Sequence, residues 1–124
     1  MKKMLLIDDE KDYCYFMKKN LEGLAGYEVT VTHSGQEGVL LAQSLLPDII
    51  LLDILMPDED GPSVATRLKN IKSTSGIPII FLTAIVRESE AKDSRHMIGG
   101  WHYLAKPVKI KELIGMIEDL TKKR

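Results

Sequence analysis

The chain has 124 residues, 44% of them hydrophobic and 28% charged, with a formal net charge of −1. That length suits one domain with its own core, and the near-neutral balance leaves no electrostatic footprint for nucleic acid or a membrane surface. A single cysteine, Cys14, excludes an internal disulfide framework and, set among Tyr13, Tyr15, Phe16 and Met17, reads as a small buried hydrophobe. No apolar run approaches membrane-spanning length. Met4-Leu5-Leu6-Ile7 gives way at once to Asp8-Asp9-Glu10, too soon for a signal peptide, so a cytoplasmic protein is expected.

Met4 to Asp8 reads as a short buried strand ending in acids. From Lys11 to Ala25 the apolar residues Cys14, Met17, Leu21 and Leu24 recur at helical spacing, and Gly23 and Gly26 mark the helix end. Glu28 to His33 alternates and is β-branched, as a strand with one more exposed side. Ser34 with Glu37 three residues on predicts a capping box for a helix that runs to Leu45 and stops before Pro47.

Ile49-Ile50-Leu51-Leu52 then lead into Asp53, bounded by Pro47 and Pro57. The run is too short for a helix and reads as a fully buried parallel strand. An ionised carboxylate is costly inside such an element, but at its carboxyl end Asp53 lies on the rim where α/β sheets bind ligands. The loop Ile54 to Gly61 holds Pro57 and three acids, and Pro62 suits the first turn of a helix carrying Val64, Ala65, Leu68 and Ile71. Ser73-Thr74-Ser75-Gly76 is turn chemistry, and Ile77 to Thr83 gives another buried strand with Pro78 near its start. Arg87 to Met97 reads as a helix that is polar nearly all round and weakly anchored, ended by Gly99-Gly100. Trp101 to Ala105 forms the last strand, and beyond Lys106-Pro107 the stripe Ile110, Leu113, Ile114, Ile117 and Leu120 marks the last helix.

Five strands thus alternate with five helices over residues 1–124, read as a single domain. Alternation of this kind argues a parallel sheet covered on both faces, and right-handed crossovers favour a doubly wound α/β architecture. All carboxyl ends of a parallel sheet lie along one edge. Asp8 and Asp9, Asp53, Thr83 and Lys106 therefore converge there from distant parts of the chain. Each acid taken singly reads equally well as a cap; together they read as a site. Clustered carboxylates without a nearby histidine point to Mg²⁺, with Mn²⁺ as substitute, rather than zinc. An aspartate between such a cation and a lysine is a competent nucleophile towards phosphorus.

The ordered set Asp8-Asp9-Glu10, Asp53 with Met56-Pro57 and Asp60-Gly61, Thr83-Ala84 and Tyr103-Leu104-Ala105-Lys106-Pro107 resembles a response-regulator receiver domain of two-component signalling, over essentially the whole chain. The resemblance implies a five-stranded flavodoxin-like sheet in the order 2-1-3-4-5. It implies Asp53 as phosphoacceptor, Asp8 and Asp9 with the Leu55 backbone carbonyl as Mg²⁺ ligands, and Lys106 as the phosphate-binding lysine before a peptide bond that is often cis. Thr83 and Tyr103 would be the switch pair, the hydroxyl turning to the phosphoryl group and the ring moving inward. The donor would be a sensor histidine kinase or a histidine phosphotransfer protein. The output would be a protein effector or a homodimer through the fourth helix, last strand and last helix. On this reading the chain is a signalling phosphoacceptor and not an enzyme on other substrates, either alone or as a piece of a larger regulator.

Some positions depart from the family pattern. Leu55 and Ile85, flanking the site, carry no group to align a water, which predicts slow self-dephosphorylation. Glu59 stands where an apolar residue is usual, predicting a more solvated loop. Trp101 is expected exposed beside Tyr103 on a partner-binding face, with a half-buried packing role as the alternative, and His33, His96 and His102 as solvated or packing residues. Two other functions compete. An Mg²⁺-dependent aspartyl phosphohydrolase would need a second acid where Leu55 stands, and a flavin domain would need a Ser/Thr/Gly-rich loop where Asp8-Asp9-Glu10 stands. A phosphorylation-independent interaction module is the remaining alternative.

Overall fold

The computed structural model describes residues 1–84, 97–98 (backbone only) and 101–122. In chain order the elements are β1 (Lys3–Ile7), α1 (Lys11–Ala25), β2 (Glu28–Thr32), α2 (Gly35–Leu45), β3 (Ile49–Asp53), α3 (Gly61–Asn70), β4 (Ile79–Thr83), β5 (Met97–Ile98), β6 (Trp101–Ala105) and α4 (Ile110–Thr121). The sheet order is β2-β1-β3-β4-β6-β5. Its first five members pair in parallel, which is the expected 2-1-3-4-5 arrangement.

One expectation fails at the edge. Met97, read as the end of a helix, instead pairs antiparallel with β6, Met97 opposite His102 and Ile98 opposite Trp101. A short antiparallel segment of this kind covers backbone groups that the outermost parallel strand would otherwise leave open. The rest of that expected helix, Arg87 to His96, lies outside the described residues, as do Ile85, Gly99 and Gly100.

Period-two alternation divides the core between the two faces of the sheet. On one face Met4, Leu6, Leu51, Leu82 and Leu104 meet α1 through Cys14, Met17 and Leu21, and α4 through Leu113 and Ile117. On the other, Leu5, Ile7, Leu52, Phe81 and Tyr103 meet α2 through Val39 and Ala42, and α3 through Val64, Ala65 and Leu68. Strands β3 and β4 are buried along their whole length, as their unbroken apolar runs require. Leu24, expected in the α1 stripe, is 67% exposed. It lies at the margin of the stripe in the last turn, and Ala25 packs inward instead, before Gly26 ends the helix in left-handed geometry (φ 70°).

Only half of the expected capping box forms. Ser34 Oγ accepts from Glu37 N–H at 3.1 Å, but the Glu37 carboxylate accepts from the Thr32 hydroxyl rather than reaching back. The Asp58 carboxylate caps the same helix, accepting from Gly35 N–H at 3.0 Å, and so ties the β3–α3 loop to α2. Among the described residues no helix is long and apolar enough to cross a membrane.

Candidate functional site at the carboxyl rim

Asp8 follows β1, Asp53 closes β3 and Lys106 follows β6. Each lies two residues beyond a core leucine of one face (Leu6, Leu51, Leu104), so alternation sends all three side chains to the side covered by α1 and α4. Asp8 and Asp53 are buried. The backbone beneath them is equally confined. Gly61 N–H donates to Ile54 O at 2.7 Å, and a Cβ at Gly61 would stand 2.3 Å from Asp53 O. The loop after β3 closes this tightly only because position 61 has no side chain.

Lys106 is the hub. Its Nζ donates to Asp8 Oδ2 at 2.8 Å and to Glu10 Oε1 at 2.9 Å, and stands 3.6 Å from Asp53 Oδ1. It also lies 4.6 Å from the centroid of the Tyr13 ring, and Lys106 N–H donates to Thr83 O at 2.8 Å. Burial alone would lower the proton affinity of this amine. Its hydrogen bonds to Asp8 and Glu10, with the charges of Asp8 and Asp53, outweigh it and hold Lys106 above the usual lysine range.

Asp53 shows the opposite balance. Burial first, then repulsion from Asp8 and from Asp9, push its carboxyl up to about 6, against the opposing pull of Lys106 and the Leu55 N–H bond. The neighbouring thiol is inert: burial, reinforced by the Asp8 charge, raises Cys14 to about 12, and its Sγ donates to Asp8 O at 3.3 Å. His33 Nδ1 stands 3.0 Å from the same carbonyl oxygen, so the expected packing role becomes a bond to the site's backbone.

Asp9, Glu10, Asp53, Leu55, Thr83, Ala84 and Lys106 line a cleft of about 260 Å³. Asp8, Glu10 and Asp53 offer oxygen atoms within 4.8 Å of one another. Glu10 belongs to this group although the sequence reading assigned it no role. The signal was its place directly after the acidic pair and directly before α1, which turns its side chain back towards Lys106. Asp9 stands on the cleft wall outside that tight group. The donor set is all oxygen, two of the three acids are buried, and the Lys106 ammonium stands among them. Such a site fits a hard divalent cation.

Thr83 and Tyr103 come from the other side of the sheet, Tyr103 opposite Phe81 in register and Thr83 opposite Ala105. Both are buried, so the Tyr103 ring already lies inward, while Thr83 reaches the cleft at the strand end. Trp101 takes the packing alternative: it is half-buried, edge-to-face on Phe81 with ring centroids 5.5 Å apart at 70°, and packs against the core of that face. The loop before α3 is largely exposed, as expected, and within it the half-buried Glu59 pairs with Arg67 of α3. The Lys106–Pro107 bond is cis.

Residues 4–118 match the family model described as the response regulator receiver domain. The chain is 34% identical over 123 residues to the DNA-binding dual master transcriptional regulator RpaA of Synechocystis sp.. It is 33% identical over 124 residues to the transcriptional regulatory protein CpxR of Escherichia coli. In both cases the match takes in 99% of this chain and 50% of the relative, so the chain spans about half the length of these regulators. Among solved structures, a Francisella response regulator receiver domain superposes with a TM-score of 0.82 at 31% identity, covering 99% of this chain and 98% of that one. A response regulator from Chloroflexus aurantiacus gives 0.83 at 30%, with 98% of each chain covered. With the flavodoxin-like topology and the rim of acids and lysine in place, the chain belongs to the response regulator receiver domain family of two-component signalling.

Proposed function

We propose that Asp53 accepts a phosphoryl group from a phosphohistidine donor, a sensor kinase or a phosphotransfer protein, and that the phosphorylated domain signals through protein contacts. The observation that carries this reading is the buried Asp53 carboxylate with the Lys106 ammonium 3.6 Å away and Asp8 beside it. In the transfer, Asp53 Oδ forms a bond to phosphorus as the phosphorus–nitrogen bond breaks, and the imidazole leaves with a proton taken from solvent. Lys106 neutralises charge on the transferred oxygens and the Thr83 hydroxyl donates a hydrogen bond to one of them. Asp8 and Asp9, with Asp53 and the Leu55 carbonyl, would hold Mg²⁺, or Mn²⁺ in its place. The cation would offset phosphoryl charge and screen the acids from one another.

The chain acts on itself in this scheme and turns over no other substrate. The aspartyl phosphohydrolase alternative loses its second acid, since Leu55 is an aliphatic side chain, 61% exposed at the cleft. Tyr103, buried beside β4, and the surface of β6 and α4 are where an effector or a second copy would read the state of Thr83. A single domain at work in the cytoplasm is consistent with this chemistry.

The test is incubation with acetyl phosphate, with and without Mg²⁺, followed by intact-mass analysis of the parent and Asp53→Asn. An Mg²⁺-dependent gain of one phosphoryl group, absent in the variant, is expected. Mg²⁺ binding without an adduct from either acetyl phosphate or a phosphohistidine donor overturns the phosphoacceptor reading in favour of a phosphorylation-independent module.

A further inference from the structure

Tyr13 lies in the first turn of α1, outside the family motif quoted above, and has no part in the chemistry so far. Its ring nevertheless forms one wall around the Lys106 ammonium, 4.6 Å from centroid to Nζ. The other walls are carboxylates: Asp8 at 2.8 Å, Glu10 at 2.9 Å and Asp53 at 3.6 Å. The Tyr13 hydroxyl is buried and, among the described residues, has no hydrogen-bond partner. A buried phenol normally finds one, so the side chain is not held here by its oxygen. The ring is what makes the contact.

We propose that the Tyr13 ring is a positioning residue for Lys106, holding the ammonium towards Asp53 by cation–π attraction; this rests on the phosphoacceptor reading and deepens it. Two of the three carboxylates around Lys106, Asp8 and Asp53, are also groups a divalent cation would compete for. A neutral aromatic face is not. When Asp8 and its neighbours take a metal, the carboxylate hold on Lys106 weakens while the ring's hold does not, so the ammonium stays where an arriving phosphoryl oxygen needs it. The ring also removes water from one side of the ammonium, which strengthens its remaining interactions.

Three variants separate the ring from the hydroxyl and from mere bulk: Tyr13→Phe, Tyr13→Leu and Tyr13→Met, the last two filling space without a π face. The first readout is the proton chemical shift of the Lys106 side-chain methylene next to Nζ in the metal-free protein. A ring-current displacement is expected in the parent and Tyr13→Phe and absent in Tyr13→Leu and Tyr13→Met. The second is the initial rate of Asp53 phosphorylation by acetyl phosphate at saturating Mg²⁺. Tyr13→Phe is expected to keep the parent rate, while the two aliphatic variants fall by between about twofold and about thirtyfold, the range spanned by cation–π contacts, with Mg²⁺ affinity unchanged by calorimetry. The proposal is overturned if the aliphatic variants keep both shift and rate, or if Tyr13→Phe fails with them, which would make the hydroxyl the active part. A parent that shows the ring-current shift but takes no phosphoryl group supports the positioning and overturns the phosphoacceptor reading instead.

Discussion

Lys106 donates to Asp8 at 2.8 Å but stands 3.6 Å from Asp53, so the ammonium's closest carboxylate is not the one proposed to accept phosphate. In this state the lysine compensates the charge that a divalent cation would otherwise compensate. Replacing it by an isosteric neutral chain leaves buried acids unpaired. Lys106→Met is therefore expected to lower the unfolding free energy at neutral pH by about 2–4 kcal/mol without divalent ions. Millimolar Mg²⁺ is expected to recover part of that loss by binding the native state. Chemical denaturation of parent and variant, each with and without Mg²⁺, checks both halves. The variant's Mg²⁺ affinity should rise while its phosphorylation rate falls.

Asp53 holds its proton more tightly in the fold than in the unfolded chain, its carboxyl moving from 3.8 up to about 6. Between those values the native state carries more protons, so stability from this group falls as pH rises across the window and the cost is fully present above it. Asp53→Asn removes that cost. The variant is expected to be more stable than the parent at neutral pH by about 1–2 kcal/mol. The advantage should shrink as pH is lowered from about 6 towards about 4. Urea titrations in divalent-free buffer at the two ends of the range measure it, and an advantage that does not shrink would assign the gain to packing rather than to charge.

Asp9 and Glu10 are neighbours with different surroundings. Glu10 is committed to Lys106, whereas Asp9 faces the cleft and acts on Asp53 through its charge. Asp9→Asn is expected to weaken Mg²⁺ by more than about tenfold, and Glu10→Gln by only about twofold to threefold, as for loss of an exposed ion pair. Calorimetric titration with Mg²⁺ ranks the two; the reverse order would make Glu10 a direct ligand.

Gly61 stands against the backbone at the end of β3. Because a Cβ there would meet Asp53 O at 2.3 Å and Ile54 Cα at 2.9 Å, neither able to yield like a flexible side chain, Gly61→Ala should cost about 2–4 kcal/mol. Thermal unfolding reads the stability, and the phosphorylation rate should fall with it because Asp53 is displaced.

Leu55 presents an exposed aliphatic chain at the cleft where a polar one could align a water. Decay of the acyl phosphate should be slow in the parent and faster in Leu55→Asn by about threefold or more. Following the phosphorylated mass with time after removal of acetyl phosphate gives both rates.

Much of this molecule was legible before any coordinates. The continuous apolar runs at 49–52 and 79–82, bounded by prolines and turn residues and too short for helices, read as strands buried on both faces, and the α4 stripe has one way to face a core. Because strands in such a sheet all run one way, acids and a lysine at strand ends must share an edge, and so Asp8, Asp53 and Lys106 were placed together from the chain. The readings that failed or stayed open depended on neighbours. Met97 became an edge strand because β6 offered unpaired backbone, Trp101 turned half inward because Phe81 was there to receive it, and Leu24 lost its place to Ala25 in the last helical turn. Glu10 and Tyr13 went unassigned because nothing in a linear string says which way Lys106 points. Sequence by itself determined the common direction of the five parallel strands and which residues stand at their carboxyl ends, since both follow from local pattern and chirality. Only the tertiary structure decided which of those groups touch, because a distance between side chains separated by 98 positions, such as Asp8 and Lys106, is set by packing and by charge balance across the whole sheet.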